Sequence, residues 1–272
     1  MKLDYRSKIT EIDGVEISLR EPDSNIYEWI GQSKILKQLL ASWIKIDKND
    51  KPMNPALTGP PGCGKTTLAC SAAKMLNLPI YIINCTSETQ PEDLIITPVL
   101  NRNRDIIYRA SSLVSAIING GVCLLDEANR MSEKSWASLA PLLDDRRYCE
   151  SIVAGVKVKA HQDFRLVATM NDDVSTYELP GYIESRLKPV ISLGYPSAEE
   201  EFEIIQNNVP YSTYELITSI VDFLQTSHQA NAPFTVRDAI NIARYATRLS
   251  KMGLDSEKAM GDILGENYEL YL

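Results

Sequence analysis

Residues 59–66 carry the clearest chemical signal, because they read GPPGCGKT between a short apolar run and a helical pattern. Glycines at this spacing let several backbone N–H groups turn towards a phosphate, and the N-terminus of the following helix adds positive potential. Lys65 would reach the outer phosphates, and Thr66 would offer its hydroxyl to a magnesium ion. The segment therefore predicts a site for a magnesium nucleoside triphosphate, with these candidate contacts: Gly59, Pro60, Pro61, Gly62, Cys63, Gly64, Lys65, Thr66 and Thr67.

Two acidic residues, Asp126 and Glu127, directly follow the apolar run VCLL. Ligands of open α/β sheets bind at the carboxyl ends of the strands, so a buried parallel strand here would deliver both carboxylates to the phosphates. Asp126 would hold the magnesium ion through its water shell, whereas Glu127 would orient and deprotonate the attacking water. The pair indicates that the bound nucleotide is hydrolysed.

Short apolar runs alternate with helical patterns through the middle of the chain, and these elements must position the residues above. The predicted strands are PALTG, PIYIIN, VCLLDE and FRLVATMN, and the predicted helices cover residues 65–75, 113–118 and 133–143. Strands that alternate with helices indicate crossover units and a mostly parallel sheet. The predicted fold class is therefore α/β, a P-loop NTPase αβα sandwich.

The regions that flank this pattern differ from it. The first residues form two short extended runs, KITEI and VEISL, which Asp13-Gly14 joins in a dipeptide suited to a tight hairpin. Apolar residues at helical spacing predict a helix over 26–46, and further helical patterns cover 198–207, 214–226 and 236–250. We therefore expect an N-terminal hairpin extension over 1–25, an α/β nucleotide-binding domain over 26–194 and a small all-helical domain over 195–272.

The composition excludes several classes of protein. With 272 residues, 44% hydrophobic and 24% charged, the chain is typical of a globular protein with an ordinary core. The net charge of -8 makes nucleic acid an unexpected, although not excluded, partner. No apolar stretch approaches the roughly 20 residues that span a bilayer, and the N-terminus lacks the apolar segment of a signal peptide. We expect a cytoplasmic protein with reduced cysteines.

Several segments taken together resemble one family, the AAA+ ATPases, and within it the MoxR and dynein-related branch. The similar segments are WIGQSKIL, GPPGCGKTTLA, LLDEANR, LLDDRR, FRLVATMN and ELPGYIESRLKP, in the family's order and spacing. The resemblance implies an α/β domain followed by a helical lid. It also implies that residues 92–121 contain an inserted hairpin and that YCESIVAGVKVKAHQDF forms a second hairpin before the next strand.

The resemblance also assigns roles to individual residues. Asn171 resembles the sensor of the γ-phosphate or attacking water, and Arg186 resembles the arginine finger that enters the neighbouring subunit's site. Arg237 resembles the second sensor, on the lid, while Gly31 and Gln32 resemble the adenine-side contact. Other arginines lie near these elements, and one of them could share the finger role: Arg130, Arg146, Arg147 and Arg165.

The implied function is ATP hydrolysis by an oligomeric ring, expected to be a hexamer, that remodels a separately encoded protein partner. The metal motif of a von Willebrand A domain is incomplete here, because Asp173–Tyr177 lacks its last serine. We therefore expect that domain, if it takes part, to belong to a separately encoded adaptor. Two other functions remain open. One is a nucleotide-regulated binding module with little turnover, and the other is the motor subunit of a restriction-like complex on nucleic acid, with GTP as an alternative to ATP.

Overall fold

The computed structural model describes residues 8–24, 28–101, 103–171, 178–230, 232, 234–254 and 259–265. Asp173–Tyr177 lie outside these ranges. The chain divides into two compact units, which we describe separately. The larger consists of residues 1–29, 34–59 and 65–192, and the smaller of residues 30–33, 60–64 and 193–272.

A parallel five-stranded sheet forms the centre of the larger unit, as the sequence predicts. Its strand order is β11-β3-β10-β7-β4, and every neighbouring pair is parallel. Strand β10 is buried along its whole length, which explains why FRLVATMN is an almost continuous apolar run. The strands are β3 (Ala56–Gly59), β4 (Ile80–Asn84), β7 (Val122–Asp126), β10 (Arg165–Asn171) and β11 (Val190–Ser192).

Helices pack against this sheet through apolar faces. The buried faces of α2, α4 and α5 include Leu68, Ile117 and Trp136, each at most 1% exposed. Ser111 and Ser132 cap α4 and α5 by accepting a hydrogen bond from a backbone N–H group of the first turn. The helices of this unit are α1 (Ser33–Trp43), α2 (Lys65–Met75), α3 (Pro91–Leu94), α4 (Ser112–Asn119), α5 (Glu133–Leu143) and α6 (Gly181–Glu184).

A second sheet joins the two hairpins that the sequence predicts separately. Strands β1 (Ile9–Ile12) and β2 (Val15–Ser18) pair antiparallel, as do β5 (Ile96–Leu100) and β6 (Ile106–Ala110). In addition, β2 pairs parallel to β6, with Ile17 opposite Tyr108. The N-terminal hairpin is thus part of a four-stranded sheet, and its Ile17 is fully buried. A third hairpin, β8 (Tyr148–Ser151) and β9 (Val156–Lys159), lies before β10, where the resemblance places one.

Helix α1 is shorter than the predicted helix over residues 26–46. It begins only at Ser33, because Gly31 and Gln32 have φ angles of +77° and +36°, which no right-handed helix contains. It ends at Trp43, whose indole donates to the carbonyl of Leu166. The two residues before α1 therefore form a left-handed turn.

The smaller unit is helical in its C-terminal part. Helices α7 (Ala198–Asn208), α8 (Tyr214–Gln229), α9 (Val236–Lys251) and α10 (Ala259–Leu264) surround a core that includes Ile220, Leu224 and Ile242. Capping boxes begin α7, through Ser197 and Glu200, and α9, through Thr235 and Asp238. In the part of the chain that the structure describes, no helix is both long and apolar enough to cross a bilayer.

Candidate functional site

The glycines of residues 59–66 have the backbone geometry that a phosphate loop requires. Gly59 ends β3, and Gly59, Gly62 and Gly64 have φ angles of +144°, +76° and +95°. Side chains are strained in this region of φ, so glycine is the residue that suits these positions. Lys65 begins α2 almost fully buried, and its ammonium donates to the Gly59 carbonyl over 2.8 Å.

The predicted magnesium ligands lie together at the carboxyl edge of the sheet. The Thr66 hydroxyl is 3.0 Å from Asp126 Oδ1 and 3.1 Å from Oδ2. Thr66 occupies the first turn of α2, and Asp126 ends β7, so the strand and the helix after the glycine loop converge on one point. A hydroxyl beside a carboxylate is an oxygen donor set that suits Mg²⁺, which is usually held by few protein ligands together with phosphates.

A residue that the sequence analysis did not single out, Thr169, joins the two acidic residues. Its hydroxyl donates to Asp126 Oδ1 over 2.5 Å and accepts the backbone N–H of Glu127 over 2.9 Å. Thr169 is buried in β10, two positions before Asn171, so both side chains lie on the same face of the strand. That spacing is the sequence signal that could have identified it.

The Glu127 side chain has two partners on separate oxygens. The Asn171 amide donates to Oε1 over 3.2 Å, and Arg130 lies 2.5 Å from Oε2. Glu127 itself has a φ angle of +54° directly after β7, where the chain turns sharply into the short 3₁₀ turn Ala128–Arg130. Asn171 also pairs with Gly59 in the sheet, so the predicted sensor and the start of the glycine loop lie side by side.

The surroundings of the two carboxylates keep one thiol protonated. Cys85 follows β4, and its N–H donates to the carbonyl of Asp126 over 2.8 Å. Burial, together with the negative charges of Asp126 and Glu127, raises the pKa of Cys85 to about 12. The thiol is therefore neutral beside these acids.

Burial separates the candidate finger arginines into two groups. Arg165 is 7% exposed and donates to the carbonyl of Trp43, and Arg147 donates to the carbonyl of Phe164. Burial lowers the pKa of both, that of Arg147 to about 10. Both side chains thus donate to backbone carbonyls within their own chain.

Arg186 and Arg146 share one carboxylate at the surface. Arg146 Nη2 lies 2.8 Å from Asp144 Oδ2, and Arg186 Nη2 lies 3.6 Å from the same oxygen. The hydrogen bond from Arg146 is the main reason that the pKa of Asp144 falls to about 2. Arg186 follows α6 with its side chain 29% exposed, which leaves it more accessible than Arg165, a residue that is 7% exposed.

The smaller unit contains the remaining predicted residues. Gly31 and Gln32 form the turn before α1, and the N–H of Gln32 donates to Glu200 Oε1 over 2.7 Å. Arg237 is the second residue of α9 and is exposed. Gly62 lies against Thr235, because a Cβ atom on this glycine would come within 2.5 Å of the Thr235 Cβ atom.

Comparison with known families identifies one match. Residues 55–187 match the AAA domain, dynein-related subfamily. This range includes the glycine loop, both carboxylates, Thr169, Asn171 and Arg186.

Curated relatives of known name are similar over part of the chain. The denitrification regulatory protein NirQ of Stutzerimonas stutzeri is 29% identical over 195 residues, 68% of this chain and 65% of that protein. Protein NorQ of Paracoccus denitrificans is 31% identical over 166 residues, 58% of this chain and 57% of that protein. The chain thus matches less than two thirds of the length of these relatives.

Solved structures show the same fold. The Thermotoga maritima RuvB Holliday junction branch migration motor has a TM-score of 0.57 at 20% identity, covering 89% of this chain and 70% of that one. NtrX of Brucella abortus, in complex with ADP, also has a TM-score of 0.57, at 16% identity, over 82% of this chain and 51% of that one. The fold is that of a P-loop NTPase with a helical C-terminal region, as the sequence predicts.

Proposed function

Because the chain contains an AAA domain of the dynein-related subfamily, we propose that it hydrolyses Mg-ATP and uses that energy to remodel a separately encoded protein partner. The observation that carries the proposal is the contact of Thr66 with Asp126, beside a Glu127 held by Asn171 and Arg130. These groups lie at the carboxyl end of a parallel sheet, where ligands of such folds bind.

The residues of the larger unit divide the proposed work among them. Lys65 binds the outer phosphates, while Thr66 and Asp126 hold magnesium, which would neutralise charge on the phosphates. Glu127 orients a water and accepts its proton, and Asn171 holds the Glu127 carboxylate through Oε1. Thr169 fixes the positions of the Asp126 carboxylate and the Glu127 backbone N–H through one hydrogen bond to each.

The remaining proposed nucleotide contacts are those that the family resemblance implies. Gly31 and Gln32 would lie beside the base, and Arg237 would act as the second sensor. The same proposal includes the domain limits, after residue 25 between the N-terminal extension and the α/β domain, and after residue 194 between the α/β domain and the helical domain.

We propose that the active form is a ring, with a hexamer as the expected size. Arg186 would enter the site of the next subunit, where a guanidinium stabilises transition-state charge and typically contributes about 10³ to 10⁵ in rate. Its exposure supports this role over that of the buried Arg165, whereas the side chain of Arg147 is engaged by the carbonyl of Phe164. The partner would be a protein, such as an adaptor with a von Willebrand A domain.

The decisive experiment compares ATP hydrolysis by the wild type and by Glu127→Gln. The amide keeps the size of the side chain but cannot accept a proton, so turnover should fall by at least about 100-fold while ATP affinity is retained. Glu133→Gln, which changes an exposed carboxylate in the first turn of α5, is the matched control and should hydrolyse normally. Equal turnover in wild type and Glu127→Gln would instead support the binding module with little turnover.

The same variant tests the remodelling proposal. With ATP present, Glu127→Gln should be held in the assembled state and should retain its protein partner in a pull-down. Recovery of monomer without a partner would contradict the ring. DNA binding that strengthens with nucleotide and weakens with salt would favour the nucleic-acid motor.

A further inference from the structure

Glu200 is the only acidic residue of the first turn of α7 whose carboxylate has two separate backbone partners among the described residues. Oε2 accepts the N–H of Ser197 over 3.0 Å, which completes the capping box of the helix. Oε1 accepts the N–H of Gln32 over 2.7 Å, across 168 positions of sequence. A capping box needs only the first of these bonds, so the second requires its own explanation.

The turn that donates the second bond, formed by Gly31 and Gln32, is strained and closely packed. Both Gly31 and Gln32 have positive φ angles, and a non-glycine residue in that region costs about 1 kcal/mol or more. A Cβ atom on Gly31 would lie 2.4 Å from the Glu200 carboxyl carbon, so only glycine admits the carboxylate at this position. Gln32 Nε2 lies 3.5 Å from the carbonyl of Gly194, which is a weaker contact. The charge-assisted hydrogen bond that the Gln32 N–H donates to Glu200 is therefore the main restraint on the backbone of this turn.

The same compact unit that contains this turn also contains residues 60–64 of the glycine loop. We propose that Glu200 is a positioning residue for nucleotide binding, holding Gly31 and Gln32 in the conformation in which they contact the base. This inference rests on the proposed function, in which these two residues lie beside the base. Glu200 itself does not touch the nucleotide and acts through the turn.

The test compares the affinity for ATP with the affinity for inorganic tripolyphosphate, which has no base. Glu200→Ala should weaken ATP binding about tenfold, the loss typical of one hydrogen bond to a charged group, and leave tripolyphosphate binding unchanged. Glu200→Gln keeps one oxygen acceptor and a similar size, so its ATP affinity should lie between those of Glu200→Ala and the wild type. Gly31→Ala, which would displace the carboxylate, should reproduce the loss.

Ser197→Ala is the matched control, because it removes the other half of the capping box and leaves the Glu200–Gln32 bond intact. It should lower the thermal stability of the protein as Glu200→Ala does, and it should bind ATP normally. Equal loss of ATP affinity in the two variants, no loss in Glu200→Ala, or a parallel loss of tripolyphosphate binding would each overturn the inference. A wild-type protein that binds neither ligand would refute the proposed function, and the inference with it.

Discussion

At the scale of single residues, the site depends on a hydroxyl that serves two acids at once. Thr169 donates to Asp126 and accepts from the backbone of Glu127, so one side chain fixes the predicted magnesium ligand and the predicted base. A hydroxyl group can do this because it carries one donor and two acceptor lone pairs. The bridge therefore links the Asp126 carboxylate, which accepts, to the Glu127 backbone N–H, which donates.

Thr169→Val removes the hydroxyl and keeps the shape of the side chain. We expect turnover to fall about tenfold or more, because the N–H of Glu127 loses its partner and Asp126 loses one of its two hydroxyl donors. Steady-state ATP hydrolysis measured against magnesium concentration checks this. Thr169→Ser, which keeps the hydroxyl, should remain within about twofold of wild type; equal activity of the serine and valine variants would remove the role assigned to Thr169.

Arg186, the proposed arginine finger, can be tested by mixing two inactive variants. Arg186→Ala should be inactive by itself, yet a mixture with the Glu127→Gln protein should regain hydrolysis. The reason is that an Arg186→Ala subunit with an intact Glu127 can receive the arginine of its Glu127→Gln neighbour. Arg146→Ala, which also removes a partner of Asp144, should keep its own activity. A mixture as inactive as its components would show that Arg186 does not act between subunits.

At the scale of elements, the close approach of the backbone at Gly121 to that at Pro79 limits which residue can precede β7. Gly121 lies between α4 and β7, where an added Cβ atom would meet the Pro79 carbonyl at 2.6 Å and the Tyr81 ring at 2.8 Å. The Gly121 carbonyl also accepts the N–H of Arg165, the first residue of β10. A side chain here would push β7 away from its neighbours.

Gly121→Ala should therefore destabilise the protein by about 1–3 kcal/mol, the usual cost of overpacking. Gly181→Ala is the matched control, since a Cβ atom at Gly181 meets nothing within 4 Å. The midpoints of thermal unfolding should show a clear decrease for the first variant and almost none for the second. Equal midpoints for the two variants would contradict the packing argument.

At the scale of the whole molecule, one buried acid makes stability depend on pH. Glu201 is fully buried in α7, where burial raises its pKa from 4.5 to about 7. Gln225 donates to Oε2 over 2.9 Å, and His228, whose own pKa is lowered by burial, lies 3.5 Å from Oε1. Between pH 4.5 and about 7, Glu201 keeps its proton in the folded protein and loses it in the unfolded chain. The contribution of Glu201 to stability therefore decreases as the pH rises through this range.

Glu201→Gln should remove this dependence, because the amide cannot ionise. The difference in unfolding midpoint, variant minus wild type, should increase from pH 5 to pH 8. The increase should correspond to at most about 3 kcal/mol in the free energy of unfolding. Glu203→Gln, at an exposed position of α7, should show no such trend. A constant difference across this pH range would mean that Glu201 is ionised in the folded state.

Local patterns in the sequence were enough to predict the parallel sheet and to propose the chemistry at its edge. The glycine loop, the acids after VCLL and the strands are encoded by spacing and period over a few residues, so they can be identified without the rest of the chain. For the same reason, the predicted α5 has the bounds that the structure gives it.

Contacts between distant segments could be found only in the folded protein. Three kinds of contact join segments that lie apart in sequence: the pairing of β2 with β6, the hydrogen bonds of Arg147 and Arg165 to backbone carbonyls, and the hydrogen bond that Gln32 donates to Glu200. Local periodicity contains no record of such pairings, because they depend on how completed elements pack against one another. The start of α1 is a further example. Its apolar pattern continues upstream of Ser33, but the helix begins only at Ser33, because the preceding turn is held by the hydrogen bond to Glu200.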